Sequence, residues 1–76
     1  MFFMPKLRVL PKRKVIEILK NNGFKKVRSG KHITFKRKDE DGHILTTWVP
    51  HHKEITVFVI EHIIKQTRKS RDEFEI

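Results

Sequence analysis

The sequence predicts a small α+β domain ordered helix, three-stranded antiparallel sheet, helix (α-β-β-β-α), and three observations predict it. Apolar residues recur at helical spacing on either side of the middle of the chain, at Val15, Ile16, Ile18 and Leu19 and again at Val57, Ile60, Ile63 and Ile64. Between them lie three short strand-like runs, the middle one alternating apolar and polar side chains. The turn signals Ser29-Gly30 and Asp39-Glu40-Asp41-Gly42 separate these runs, and connections this short join antiparallel strands. A chain of 76 residues holds one domain, taken as residues 1–76, with so modest a core that association with a partner or with itself is plausible.

Residues 1–10 read as an extended lead-in, and Pro11 fits the first turn of a helix, where its missing N–H costs nothing. In that helix the four apolar residues share one side, while Arg13, Lys14, Glu17 and Lys20 take the other as a solvated surface. Asn21-Asn22-Gly23 supplies the stop, with Gly23 in the left-handed position and Phe24 folding back on the last turn. Residues 24–28 form the first strand and residues 31–38 the second. In the second, Ile33 and Phe35 share one face while His32, Thr34 and Lys36 share the other.

The third strand spans about residues 44–49 and is ended by Pro50, which has no ladder donor. Residues 55–60 are β-branched enough to be a strand. Yet Glu61 and Lys65 form an i,i+4 pair, Thr56 can cap, and the apolar stripe continues to Ile64, so a helix is expected. Ser70-Arg71-Asp72-Glu73 matches a capping box, so residues 70–76 are expected to form a brief terminal helix with Phe74 and Ile76 as its apolar contacts.

Composition narrows the function. Eighteen basic against 9 acidic residues leave a formal charge of +9, which favours a polyanion or an acidic protein partner. There is no cysteine, so disulfides and thiolate–zinc sites are excluded. Only three glycines are present, and no phosphate-cradling loop or Ser/His/Asp arrangement stands out. The apolar start is too short for a signal-peptide core, and no stretch reaches membrane-spanning length, so a cytoplasmic protein is expected. A membrane-surface role lacks a strongly amphipathic, aromatic-rich helix.

The most suggestive stretch is Arg28-Ser29-Gly30-Lys31-His32, a histidine leaving a turn among fixed positive charges. Imidazole both accepts and donates protons near neutral pH, which suits chemistry on a phosphodiester. Residues 25–38 carry seven of the 18 basic side chains, a density that supplies salt-dependent phosphate affinity. Trp48 shares strand parity with Ile44, Thr46 and Pro50; burial in the core or against a partner is expected, with base stacking as the alternative. His51-His52 with His32 or His43 matches no zinc spacing, and no metal or cofactor is expected.

The chain as a whole resembles a HicA-type toxin, the mRNA interferase of a toxin–antitoxin pair. The resemblance is carried by Met4-Pro5-Lys6-Leu7, Asn22-Gly23-Phe24, Val27-Arg28, Gly30-Lys31-His32, Val49-Pro50-His51-His52, Ile64-Lys65-Gln66 and Asp72-Glu73-Phe74 in that order. Since the familiar pattern begins at Met4, residues 1–3 are expected to be a peripheral extension or to reflect an upstream start codon. The resemblance implies a double-stranded-RNA-binding-domain-like fold, ribosome-independent mRNA cleavage and neutralisation by a HicB-type antitoxin. It puts the catalytic histidine of the family's Gly-Ser-His motif on His32 and the histidine of its Val-Pro-x-His element on His52. Lys31 stands where that motif has serine, the departure a non-catalytic RNA-binding module of the same fold would show.

RNA carries its own nucleophile, the 2′-OH, so cleavage needs positioning, proton transfer and charge stabilisation rather than a metal. His32 is therefore expected to move the proton, as general base. Arg28, Lys31 and Lys36 are expected to contact phosphates, with His52 a further RNA-binding residue and a candidate general acid.

Overall fold

The computed structural model describes residues 6–75, so the readings made on residues 1–5 and on Ile76 lie outside the described residues. The elements run β1 (Leu10–Pro11), α1 (Lys12–Asn21), β2 (Lys25–Ser29), β3 (His32–Lys38), β4 (Ile44–Pro50), β5 (Glu54–Ile55) and α2 (Val57–Thr67). A 3₁₀ turn at Arg71–Phe74 follows. β2, β3 and β4 form an antiparallel sheet in that order, giving the α-β-β-β-α layout that the pattern predicts. β1 and β5 make a separate antiparallel pair, Leu10 opposite Ile55, which the sequence reading did not foresee. Two residues per strand are too few to show a period, and their pairing depends on the buried Leu10 and Ile55 meeting in the core.

α1 ends as its sequence requires. Gly23 adopts φ +85°, its N–H donates to the Lys20 carbonyl, and the Phe24 N–H donates to the Leu19 carbonyl at 3.0 Å. These are the two bonds of a Schellman motif, and they turn Phe24 into the core beside the buried Leu19. Pro11 differs from expectation by one position: it is the N-cap, with extended ψ of 143°, and the helix proper begins at Lys12.

The sheet's inner face carries Ile33 and Phe35 from β3 and Leu45, Thr47 and Val49 from β4, all buried. α2 completes the core with Ile60 and Ile63, while Val57 and Ile64 are only partly buried at the margin. The strand-or-helix conflict resolves by division: Glu54–Ile55 pairs as a strand, Thr56 accepts a hydrogen bond from the Val59 N–H, and the helix runs from Val57. The β-branched residues are tolerated there because tertiary burial outweighs a propensity penalty of a few tenths of a kcal/mol per residue, ~0.7 at most.

Four further expectations shift. β2 begins at Lys25 because the Schellman bond holds Phe24 back. β4 runs on through Pro50, which is the Cα partner of His32; β4 is an edge strand, where a missing ladder donor is tolerated. The terminal helix is a single 3₁₀ turn, capped by Ser70 Oγ accepting from the Asp72 N–H and anchored by the fully buried Phe74. Trp48 is not in the core: it is 48% exposed, because its parity puts it on the outer face while Thr47 and Val49 point inward.

Candidate active site

His32 is the first residue of β3, and the strand's alternation puts it on the outer face with Thr34 and Lys36, opposite the buried Ile33 and Phe35. The turn before it is tight. Ser29 and Ile33 are the last Cα partners, and the Gly30 N–H donates to the His32 carbonyl at 3.1 Å. The Gly30 carbonyl in turn lies 2.9 Å from His51 Nε2. A carbonyl only accepts, so that nitrogen carries the proton, and His51 ties the β2–β3 turn to the residue just after β4. Sequence reasoning gave His51 no role.

β4 is the sheet edge nearest α2, and between them opens a groove of about 560 Å³. His32, Trp48, Pro50 and His52 line its sheet side. The α2 side includes Val59, His62 and Gln66. The fold thus brings His52 to the groove that His32 lines, a proximity the sequence could not supply, and adds His62. His62 lies edge-on to the exposed Phe58, with ring centroids 4.7 Å apart and planes at 71°. The missed residue has a faint signal in the sequence: Val59, His62 and Gln66 recur at i, i+3 and i+7, a second stripe beside the core stripe. Its meaning depends on which strand α2 lies against.

Two of the other expected residues, Arg28 and Lys36, stand on the same sheet face, outside the groove. Arg28 is the Cα partner of Thr34, and Lys25 of Lys36. Residues three apart normally face opposite ways, but a register shift between Lys26 and Arg28 restores the phase and turns both cations outward with Lys36. All of β2 is exposed; charges on such an edge also keep it from pairing with another chain. Lys31 is exposed in the turn next to His32 and does not line the groove.

Among the described residues, one grouping of potential metal ligands occurs, Asp39, Asp41 and His43 in the β3–β4 hairpin. Its leading carboxylate is already engaged. Asp39 Oδ1 accepts from the backbone N–H groups of Asp41 and His43 at 3.0 Å each, and Oδ2 sits 3.6 Å from Arg68 Nη1. It serves as a turn cap at the end of β3 away from His32, roughly 20 Å off at ordinary strand rise.

Thr47 Oγ1 donates to Gln66 Oε1 at 2.8 Å, joining the buried strand face to α2. The hydroxyl is fully buried and needs a partner; Gln66 supplies it while its side chain reaches the groove wall.

Residues 13–68, from the start of α1 to the cap of α2, match the model of a family described as the HicA toxin of bacterial toxin–antitoxin. No curated protein and no solved structure matches the chain significantly.

Proposed function

This chain belongs to the HicA toxin family, the toxin half of a toxin–antitoxin pair, and from that premise we propose that it is an endoribonuclease cleaving mRNA at the His32 groove. The observation that carries the reading is the convergence of His32, His52 and His62 on one open groove beside the outward cations Lys25, Arg28 and Lys36. Proton-transfer groups and phosphate-binding charge on one face are what cleavage by the RNA's own 2′-OH requires.

In the proposed reaction His32 takes the proton from the 2′-OH, whose oxygen attacks the phosphorus. The P–O5′ bond breaks and the leaving oxygen takes a proton from an imidazolium, for which His52 is the assigned donor. The products are a 2′,3′-cyclic phosphate and a 5′-hydroxyl, with no metal. Arg28, Lys31 and Lys36 hold phosphates and offset charge that builds on the non-bridging oxygens. A HicB-type antitoxin restrains the enzyme by covering the same face, and the +9 charge suits an acidic covering segment. No helix among the described residues is long and apolar enough to cross a membrane, and the proposed site of action is the cytoplasm, where mRNA is.

The test is cleavage of mRNA by the full chain in EDTA. Since His32 is exposed, His32→Ala should fold normally and lose about 10²–10⁴-fold in rate. Wild-type rates in that variant, or 5′-phosphate ends, would overturn the mechanism. Lys31 in the serine position favours one rival, a non-catalytic RNA-binding module. An inert wild type that binds RNA and gains cleavage on Lys31→Ser would establish the rival instead.

A further inference from the structure

The geometry points to a subsite in the groove for one unstacked nucleobase with a keto oxygen at the O4 or O6 position, uracil or guanine, with Trp48 as the stacking platform and Gln66 as the group that reads the base edge. The inference rests on RNA being the ligand, as proposed above, and adds which base the groove prefers and how.

Two observations carry it. The first is Trp48, a large aromatic that folding leaves 48% exposed on the sheet's outer face and that lines the groove. It is diagonal to His32: Thr34 is the Cα partner of Trp48, and Pro50 is the partner of His32. Diagonal neighbours on one face lie roughly 7–8 Å apart, so a base stacked on the indole has its own sugar and phosphate beside the imidazole. Pro50 and Val59 extend the apolar wall around the indole, and a flat apolar slot tolerates a base's π-face better than it tolerates phosphate.

The second observation is the orientation of the Gln66 amide. Its Oε1 accepts the buried Thr47 hydroxyl at 2.8 Å, which leaves Nε2, a donor only, as the uncommitted end of the amide on a residue that lines the groove. A fixed donor favours uracil or guanine, whose O4 or O6 accepts. It disfavours cytosine or adenine, whose amino groups at the same positions donate. The outward cations Lys25, Arg28 and Lys36 then hold the neighbouring backbone on the sheet face.

Trp48 is the only tryptophan in the chain, so its emission reports on the subsite directly. The experiment titrates the full-length His32→Ala chain, which does not consume its ligand, with single-stranded U8 and C8 RNA. Trp48 emission and filter retention are followed in parallel. The expected result is saturable quenching, with U8 binding about 2- to 10-fold more tightly than C8, the worth of one hydrogen bond. Adding Gln66→Glu should reverse that order, since a carboxylate still accepts the Thr47 hydroxyl but presents an acceptor to the base. In the same background Trp48→Ala should weaken retention of both RNAs by about 5- to 150-fold, the range for loss of one base–aromatic stack. Trp48→Phe, which keeps a ring, should recover part of it.

RNA retained with no change in Trp48 emission would overturn the subsite while leaving RNA binding intact. An unchanged U8-to-C8 ratio in the Gln66→Glu variant would overturn the assigned reader. Emission that responds to an antitoxin protein and not to RNA would make Trp48 a partner contact and refute the subsite. Failure of every form to retain RNA would remove the broader RNA reading, and this one with it.

Discussion

Replacing His51 with alanine removes the one side-chain hydrogen bond among the described residues that ties the β2–β3 turn to the end of β4, from Nε2 to the Gly30 carbonyl at 2.9 Å. His51 is exposed, so water takes over the freed carbonyl and the net loss is about 0.5–1.5 kcal/mol. That free energy biases the turn between a held and a released position, and with it the position of His32 two residues on. A bias of this size alters the held-to-released ratio by about 2- to 13-fold. The loss in kcat/KM for RNA cleavage follows the fall in the held fraction, so it should be measurable and no greater than about 13-fold. It should appear mainly in kcat, because Arg28 and Lys36 hold RNA from β2 and β3, and of the phosphate-holding cations only Lys31 lies in the turn that His51 ties down. The assay is cleavage of a short labelled RNA, run well below the melting temperature so that the folded fraction is unchanged. His51→Gln, which keeps an N–H donor at similar reach, should recover most of the activity. No loss with alanine would show that the turn is held without His51. A loss beyond about 30-fold, or no recovery with glutamine, would exceed what one exposed hydrogen bond can supply and refute a positioning role.

Two further outcomes follow from the same structure. Gly23→Ala should cost ~1–2 kcal/mol, because φ is +85° there, while a new Cβ would meet only Arg37 side-chain atoms at ordinary contact distance; thermal unfolding should show a fall of about 4–16 °C, and an unchanged melting temperature would deny the Schellman geometry. If Lys25, Arg28, Lys31 and Lys36 each neutralise one phosphate, log affinity for single-stranded RNA should fall with log salt at a slope of about −3, and Arg28→Ala should flatten it by about 0.7; an unaltered slope would take Arg28 off the RNA path.

Much of this was legible from local chemistry. The helix stop at Asn22-Gly23, the Thr56 cap, the hairpin at Asp39–Gly42 and the facing of His32 away from Ile33 depend on residues within a few positions of each other. The turn chemistry of Gly42, at φ +86°, likewise follows from the short Asp-Gly sequence. Where reading failed, the deciding partner was distant. Trp48 was expected in the core or against a partner, and the core half fails because the inward phase of β4 belongs to Leu45, Thr47 and Val49. The phase itself was readable; which side the helices cover was not.

What the sequence by itself determined is the order of the two helices and the three sheet strands, the face on which His32 stands and the cationic character around it. Each is a matter of periodicity, spacing or charge along the chain. Only the tertiary structure decided that His52 and His62 share a groove with His32, that a bulge turns Lys25 and Arg28 to one side, and that Thr47 orients Gln66. The reason is physical: Trp48, His52 and His62 line one groove because α2 buries Ile60 and Ile63 beside the edge strand. Burial of an apolar stripe sets where its polar neighbours emerge, and that position depends on the whole packed core.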